Sequence, residues 1–477
     1  VFERLFKSPT QDRWLQAPAF ALGAVVLGYG LQVSNGTLHP AALTALTLTI
    51  VLAALGLFSP AFALIERFRK LPVLLVVAAG LVYEMAVAFT TAPGIYLQGS
   101  QQDFVLHHYW MSGVAVLSGV ALCAPEKWVK RAVMPAVLVA HFALGLWLLR
   151  ISPNPRIDVF VWHREAFEAL FRGENPWAMT LPNIYAETRW YAPGLSDPQR
   201  VFTGFPYPPW SLLLALPGHL IAHDYRYANL VALSAAGALM TYARPGRLGA
   251  LAAFIFLFSP RHLFVLEQGW TEANVVFMVA AVVFVACRWP KALPWVLGLM
   301  LATKQYLVFL LPVSFFLLPS NEKPFAWKDF GLFCAKAVGL AAVVTSWGLL
   351  WDPAAFFRSV VAFQNKQPFR PDALSYIAAT ADSSGVPTMP LWLPFVAVVV
   401  ALGLSLWRAP RTPAGFAATA SFVVLLFFAF AKQAFCNYYF VAVGTLCIAV
   451  AALRVEEPVT GASGDLSATA GSAPPPT

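Results

Sequence analysis

Apolar runs succeed one another along almost the whole chain, at 17–33, 41–65, 71–92, 109–124, 132–150, 209–223, 228–242, 248–264, 271–287, 292–318, 330–351, 389–407, 412–431 and 435–453. None alternates with polar residues. A helical membrane crossing needs about 20 apolar residues, and in lipid every backbone amide must pair within its own helix or a closed barrel. Unalternating runs of this length predict helices. The expected fold is all-α, a polytopic transmembrane helix bundle of about 11–14 membrane helices, some of them short enough to be broken.

Composition excludes two classes. Hydrophobic residues make up 59% of the chain and charged residues 12%, about half the charge of a soluble domain. That rules out an ordinary soluble enzyme, and disorder needs the opposite balance. The formal charge of +9 sits in short clusters between apolar runs, so no nucleic-acid partner is expected. Cys123, Cys287, Cys334, Cys436 and Cys447 show no CxxC spacing and read as small buried hydrophobes.

Basic residues orient the chain. The stretches Glu66–Lys70 and Glu126–Arg131 are basic, whereas 34–40 and 93–108 hold no Lys or Arg. With Arg4, Lys7 and Arg13 near its start, the N-terminus is expected in the cytoplasm, and loops 34–40, 93–108, 151–208 and 352–388 outside. The Arg244–Arg247 turn would then fall outside, against the rule, so one segment within 209–264 or 292–318 is expected to be re-entrant or broken. Four regions result: N-terminal membrane helices over 1–150, an outside loop over 151–208, a membrane core over 209–453 and a disordered tail over 454–477. The Ala- and Pro-rich, Lys-poor composition points to a bacterial inner membrane.

Loop 151–208 is too long to be structureless inside a compact protein, and it carries Trp162, Trp177, Trp190, Tyr185, Tyr191 and Tyr207. Val159, Trp162, Ala166, Ala169 and Leu170 fall on one face of a surface helix that Asp158 opens. Asp158 is either its N-cap or a catalytic carboxylate at the membrane surface. Lys304 interrupts an apolar run and is either functional or a snorkelling lysine. Glu267 and Glu272 read as a carboxylate pair for an acceptor or a divalent ion, although two carboxylates make a thin metal shell. Glu84 and His141 read as a buried polar pair. Asp103, His107 and His108 share helical spacing but lack a third strong ligand, so neither metal nor other cofactor is expected.

Four motifs follow in order. They are Asp158 through Gly173-Glu174-Asn175-Pro176-Trp177; Phe205-Pro206-Tyr207-Pro208-Pro209-Trp210; Ser259-Pro260 followed by Glu267-Gln268-Gly269-Trp270-Thr271-Glu272; and Ala302-Thr303-Lys304-Gln305 through Leu311-Pro312. Over about 150–320 this order resembles the C-type membrane glycosyltransferases, family 87 and its relatives. Residues 1–150 precede the matching part as an extra or rearranged module.

The resemblance implies inverting transfer of a sugar, mannose or similar, from a polyprenyl-phosphate donor to a lipid or glycan acceptor at the outer face of the bilayer. Asp158 would be the general base. Arg156, His163 and Lys304 would hold the donor phosphate. Tyr207, Glu267, Gln268, Trp270, Glu272, Gln305, Lys366 and Arg370 would contact substrate. The rival is a transporter or lipid flippase with Glu84, His141, Lys304 and Glu272 along its path. A transporter predicts paired broken helices and symmetric halves; a glycosyltransferase predicts one large outside loop carrying an Asp.

Overall fold

The computed structural model describes residues 16–58, 71–187, 190–318 and 327–454. The N-terminal charges, the Glu66–Lys70 stretch and the tail beyond Arg454 lie outside the described residues. The chain is mostly helical. Among the described residues five helices are long and apolar enough to cross a membrane: α1 (Gln16–Ser34), α2 (Pro40–Phe58), α4 (Gln101–Cys123), α5 (Glu126–Ile151, with one π turn) and α13 (Trp327–Trp351). A sixth crossing results if α9 (Leu248–Leu257) and α10 (His262–Gln268), bent by 54°, count as one broken span.

Further helices complete the described part. They are α3 (Leu71–Thr90), α6 (Asp158–Phe171), α7 (Pro209–Ala222), α8 (Arg226–Ala243), α11 (Glu272–Arg288), α12 (Leu293–Leu301), α14 (Pro353–Phe356), α15 (Phe363–Lys366), α16 (Tyr376–Ala379), α17 (Leu393–Arg408), α18 (Pro413–Ala429) and α19 (Cys436–Ala452). A 3₁₀ segment runs over Gln305–Leu317. The two strands among the described residues, β1 (Leu181–Pro182) and β2 (Arg200–Val201), pair antiparallel with Leu181 opposite Val201.

Packing in the bundle follows small residues. A Cβ on Gly30 of α1 would come within 2.9 Å of Ala45 of α2, so the two helices approach closely where both side chains are minimal. On its other side, α2 leaves Leu48, Val51 and Leu55 about half exposed. An apolar face of this kind is stable against lipid and costly against water.

Loops fall on two faces. On one, Leu38 donates its backbone N–H to Asp372 (2.9 Å), Gln98 to Ile151 (2.7 Å) and Arg370 to Lys432 (3.0 Å). Tyr96 Oη donates to the Arg156 carbonyl (2.9 Å). Of the loops predicted to share one side, 34–40, 93–108, 151–208 and 352–388, the second is a loop only as far as Ser100. With Ser359 Oγ donating to the Trp177 carbonyl (2.8 Å), the four are joined into one layer. On the other face Gly246 N donates to Glu126 Oε1 (2.7 Å), Lys130 Nζ to the Arg244 carbonyl (2.8 Å), and Arg247 to the Leu122 carbonyl (2.9 Å). The Arg244–Arg247 turn therefore lies with the basic Glu126–Arg131 stretch, and counting each apolar run as one crossing misplaces it.

Two segments account for that. Helix α7 begins beside Tyr207, whose carbonyl takes the Trp177 indole N–H (3.1 Å), and after three intervening residues α8 starts at Arg226, which reaches the Pro153 carbonyl (3.4 Å). Both ends lie in the loop layer, so α7 does not carry the chain across. The run 292–318, one of the two stretches expected to hold a re-entrant or broken segment, is broken at Ala302–Lys304. Gln305, at the break, donates to the Pro206 and Val360 carbonyls (2.8 and 2.9 Å) in the loop layer, so α12 and the 3₁₀ segment are two legs. Thirteen residues at about 2 Å each make the second leg roughly 26 Å long.

Loop 151–208 is folded. Val159, Phe160, Ala166 and Phe167 of α6 pack with Trp177, Phe205, Tyr207, Leu212, Tyr225 and Phe356 in one apolar cluster. Trp162, Leu181, Tyr191, Val201 and Phe363 form another. The buried face of α6 is wider than its periodicity predicts, because Phe160, His163 and Phe167 are covered as well.

Candidate active site

The site is built where α6 meets α11 and the break before the 3₁₀ segment. Asp158 is the first residue of α6, and the extended Ile157 occupies the cap position. The Asp158 carboxylate accepts the Val159 N–H (2.7 Å), a contact that favours the ionised form at a helix start. Tyr185 Oη accepts the Asp158 backbone N–H (3.4 Å). Burial outweighs these contacts and the Arg370 charge, pushing the Asp158 pKa up to about 6. In turn the Asp158 charge and, above all, burial raise the Tyr185 and Tyr191 pKa values.

His163 lies one turn further, fully buried. Its Nδ1–H donates to the Val159 carbonyl (2.8 Å), which leaves Nε2 as a bare acceptor, and Nε2 is buried without a hydrogen-bond partner. The ring stacks on Tyr225 with centroids 4.3 Å apart. Burial first, and the Lys304 charge beside it, push its pKa down to about 3. A neutral imidazole with its proton already donated cannot serve a phosphate. In this neutral state His163 Nε2 can accept a hydroxyl.

Lys304 sets its Nζ 3.0 Å from Glu272 Oε1, 4.1 Å above the Tyr207 ring, and in hydrogen-bond contact with Thr271 Oγ1. Both members of the ion pair are buried. Neither Glu272 oxygen receives a well-aligned hydrogen bond, and the Tyr306 hydroxyl is also buried without a partner. Tyr207 and Tyr438 feel the charges of both Glu272 and Asp158, which puts the two carboxylates in one neighbourhood.

The other expected residues divide between scaffold and surface. Glu267 is fully buried and accepts from Ile95 N, Tyr96 N, Ser152 Oγ and Gln268 Nε2 at 2.8–3.1 Å. A Cβ on Gly94 would collide with its carboxylate. It is a clamp on loop 93–97 and has no lone pair left for an acceptor, so Glu267 and Glu272 do not act as a carboxylate pair. Gln268 is occupied by Glu267, Trp270 packs edge-on to Phe264, and Gln305 is spent on main-chain carbonyls. Arg156 and Lys366 are exposed at the surface of the layer. Arg370 pairs with Asp372 (2.7 Å) and lies over the Trp190 ring at 4.2 Å. Asp103 is occupied as a capping-box acceptor for Ser100 (2.7 Å), and His107 stacks on Trp147 (4.9 Å), so these do not converge as ligands. Among the described residues no three His, Cys, Asp or Glu side chains converge as metal ligands.

Sequence reasoning missed Arg226. It is fully buried, forks onto Asp224 (2.6 Å), and donates to the Glu267 carbonyl (3.0 Å). This locks α8 to the loop layer. Its signal was a charged pair, Asp224 and Arg226, between two apolar runs.

No protein-family model matches the chain, and no curated protein sequence matches it.

Proposed function

We propose that the protein is an integral membrane glycosyltransferase with the loop layer at the outer face of a bacterial inner membrane and the N-terminus in the cytoplasm. In this reading a sugar passes from a polyprenyl phosphate to a lipid or glycan acceptor. Helices α3, α8, α11 and α17–α19 complete a C-type bundle. The observation that carries the reading is Asp158: an acid at the start of a helix packed into the loop layer, half-buried, with its pKa pushed up to about 6.

The chemistry follows from that acid. The acceptor hydroxyl gives its proton to Asp158 as its oxygen attacks the anomeric carbon, while the bond from that carbon to the phosphate oxygen breaks and polyprenyl phosphate leaves. A single in-line displacement inverts the anomeric centre. A positioned base of suitable pKa is worth roughly 10²–10⁴ in rate. Arg370, whose charge Asp158 feels, is forked onto the exposed Asp372 and would meet the leaving phosphate by exchanging that partner for it, whereas the Lys304–Glu272 pair is buried. Replacing Asp158 with Asn in a transfer assay tests the reading: turnover falls by that factor while the fold is retained.

A further inference from the structure

Away from that site, a cavity lies between α1, α3, α4 and the bend joining α9 to α10. It holds about 50 Å³ of open space and is lined by Gln32, Glu84, Thr91, His107, Ser259 and Arg261, among others. Glu84 is 1% exposed, and neither of its carboxylate oxygens has a hydrogen-bond partner. The expected Glu84–His141 pair does not form. His141 instead bonds Ser234 Oγ through Nδ1 (2.9 Å) and His262 Nε2 through Nε2 (2.8 Å). His262 Nδ1 donates to the Phe256 carbonyl (2.9 Å), so His262 Nε2 must accept and both rings are satisfied without Glu84.

An uncompensated carboxylate inside an apolar bundle costs several kcal/mol and must acquire a positive partner. The polar lining favours one. The Thr91 and Ser259 hydroxyls spend their protons on the Val87 and Phe256 carbonyls (2.7 and 3.0 Å), leaving only lone pairs. Arg261 also lines the cavity: it has left-handed backbone (φ 67°), bonds the Ala92 carbonyl (3.4 Å), lies over the Phe264 ring at 5.4 Å and keeps a buried, unpartnered Nε, so it makes no ion pair with Glu84. The geometry points to a second site, in which Glu84 binds a small monovalent cation, the proton itself or Na⁺. The cavity has room for such an ion with a few waters, at about 10–15 Å³ of open space per water. The titratable groups around Glu84 are Tyr83 on its own helix, Tyr29 on α1, His107 on α4, Arg261 and His262 at the bend, and Cys447 on α19. This inference is independent of the transfer reading.

Full-length protein in liposomes, treated with dicyclohexylcarbodiimide and read by peptide mass spectrometry, tests it. The reagent adds to a protonated carboxyl and leaves an N-acylurea. Glu84 is expected to be labelled. If Na⁺ is the occupant, labelling falls severalfold when Na⁺ replaces choline. If the proton is, labelling ignores Na⁺ and rises severalfold as pH falls from about 9 to about 6. The thermal midpoint of the wild type should move with the same variable by more than that of Glu84→Gln, which keeps only the contribution of Asp158 to the pH dependence. A Glu84 that stays unlabelled throughout, or is labelled equally in every condition, overturns the proposal.

Discussion

Lys304 and Glu272 form a buried ion pair with 3.0 Å between Nζ and Oε1, placed where the break after α12 meets the first turn of α11. Its cation is also seated on the Tyr207 ring, yet its carboxylate keeps unused acceptor capacity. The pair is neutral as a unit, so it cannot offer a full positive charge to a phosphate while it is intact. What it offers is a polar floor beneath the Asp158 neighbourhood, with lone pairs that suit a ligand rich in hydroxyl groups.

Breaking the pair from either side should therefore be worse than removing it. Lys304→Met or Glu272→Leu alone leaves one buried charge and should cost roughly 3–5 kcal/mol, whereas the double change should recover most of that loss. Thermal midpoints of the purified single and double variants check this. Equal, additive losses would show that the two side chains do not depend on each other.

Asp158 makes a pH prediction with a defined sign. Its folded pKa is about 6, above the ordinary 3.8, so the folded protein holds this proton more tightly than the unfolded chain. The contribution to stability is complete below the ordinary carboxylate range and is lost as pH rises through about 6. Asp158→Asn should be more stable than the wild type above that pH, by roughly 1–3 kcal/mol, and no more stable near pH 3. Transfer, which needs the ionised base, should fall in the wild type as pH drops below about 6. Paired profiles of midpoint and kcat/KM read both limbs.

His163 gives a narrower test. His163→Phe keeps the stacking on Tyr225 and Tyr207 but removes Nε2 and the Nδ1–H bond to the Val159 carbonyl, so the fold should lose about 1–2 kcal/mol. If Nε2 seats a substrate hydroxyl, KM should rise roughly tenfold, the value of one lost hydrogen bond. An unchanged KM would confine His163 to packing.

How far the sequence foretold this arrangement depends on what each residue's neighbours in sequence can encode. The start of α6 was legible because an acid ahead of a helical apolar stripe is a local pattern, and α6 begins at Asp158. The shared face of the four loops was legible because 34–40 and 93–108 hold no Lys or Arg, and 151–208 and 352–388 follow from them and from the basic turns by alternation. Return paths were not. Pro209–Ala222 is as apolar as a crossing helix, and only the contacts of Arg226 with Pro153 and Glu267 show that its far end stays in the loop layer. The break at Ala302–Lys304 lies inside one continuous apolar run. Partners across helices were also hidden: the sequence puts His141 inside an apolar run but does not say that the facing residue is His262 rather than Glu84. For Glu267, composition shows a buried acid, and only the folded loop shows that two backbone amides consume it.

That last contact is itself testable. Glu267→Gln leaves a single acceptor oxygen for the four donors and should destabilise the protein by roughly 2–3 kcal/mol. Hydrogen exchange should rise at Ile95 and Tyr96 while α6 keeps its protection. Faster exchange spread evenly over both regions would mean that Glu267 supports the whole layer rather than loop 93–97.

The central claim is that Asp158 is the base of a sugar transfer from a lipid phosphate. Purified wild type and Asp158→Asn, each shown to be folded, should be incubated with radiolabelled polyprenyl-phosphate mannose, glucose or arabinose and total lipid extract. The account predicts label in a new product with the wild type, and a rate lower by roughly 10²–10⁴ with the variant. Transfer by Asp158→Asn at the wild-type rate, or label left on every donor by the wild type, would contradict it.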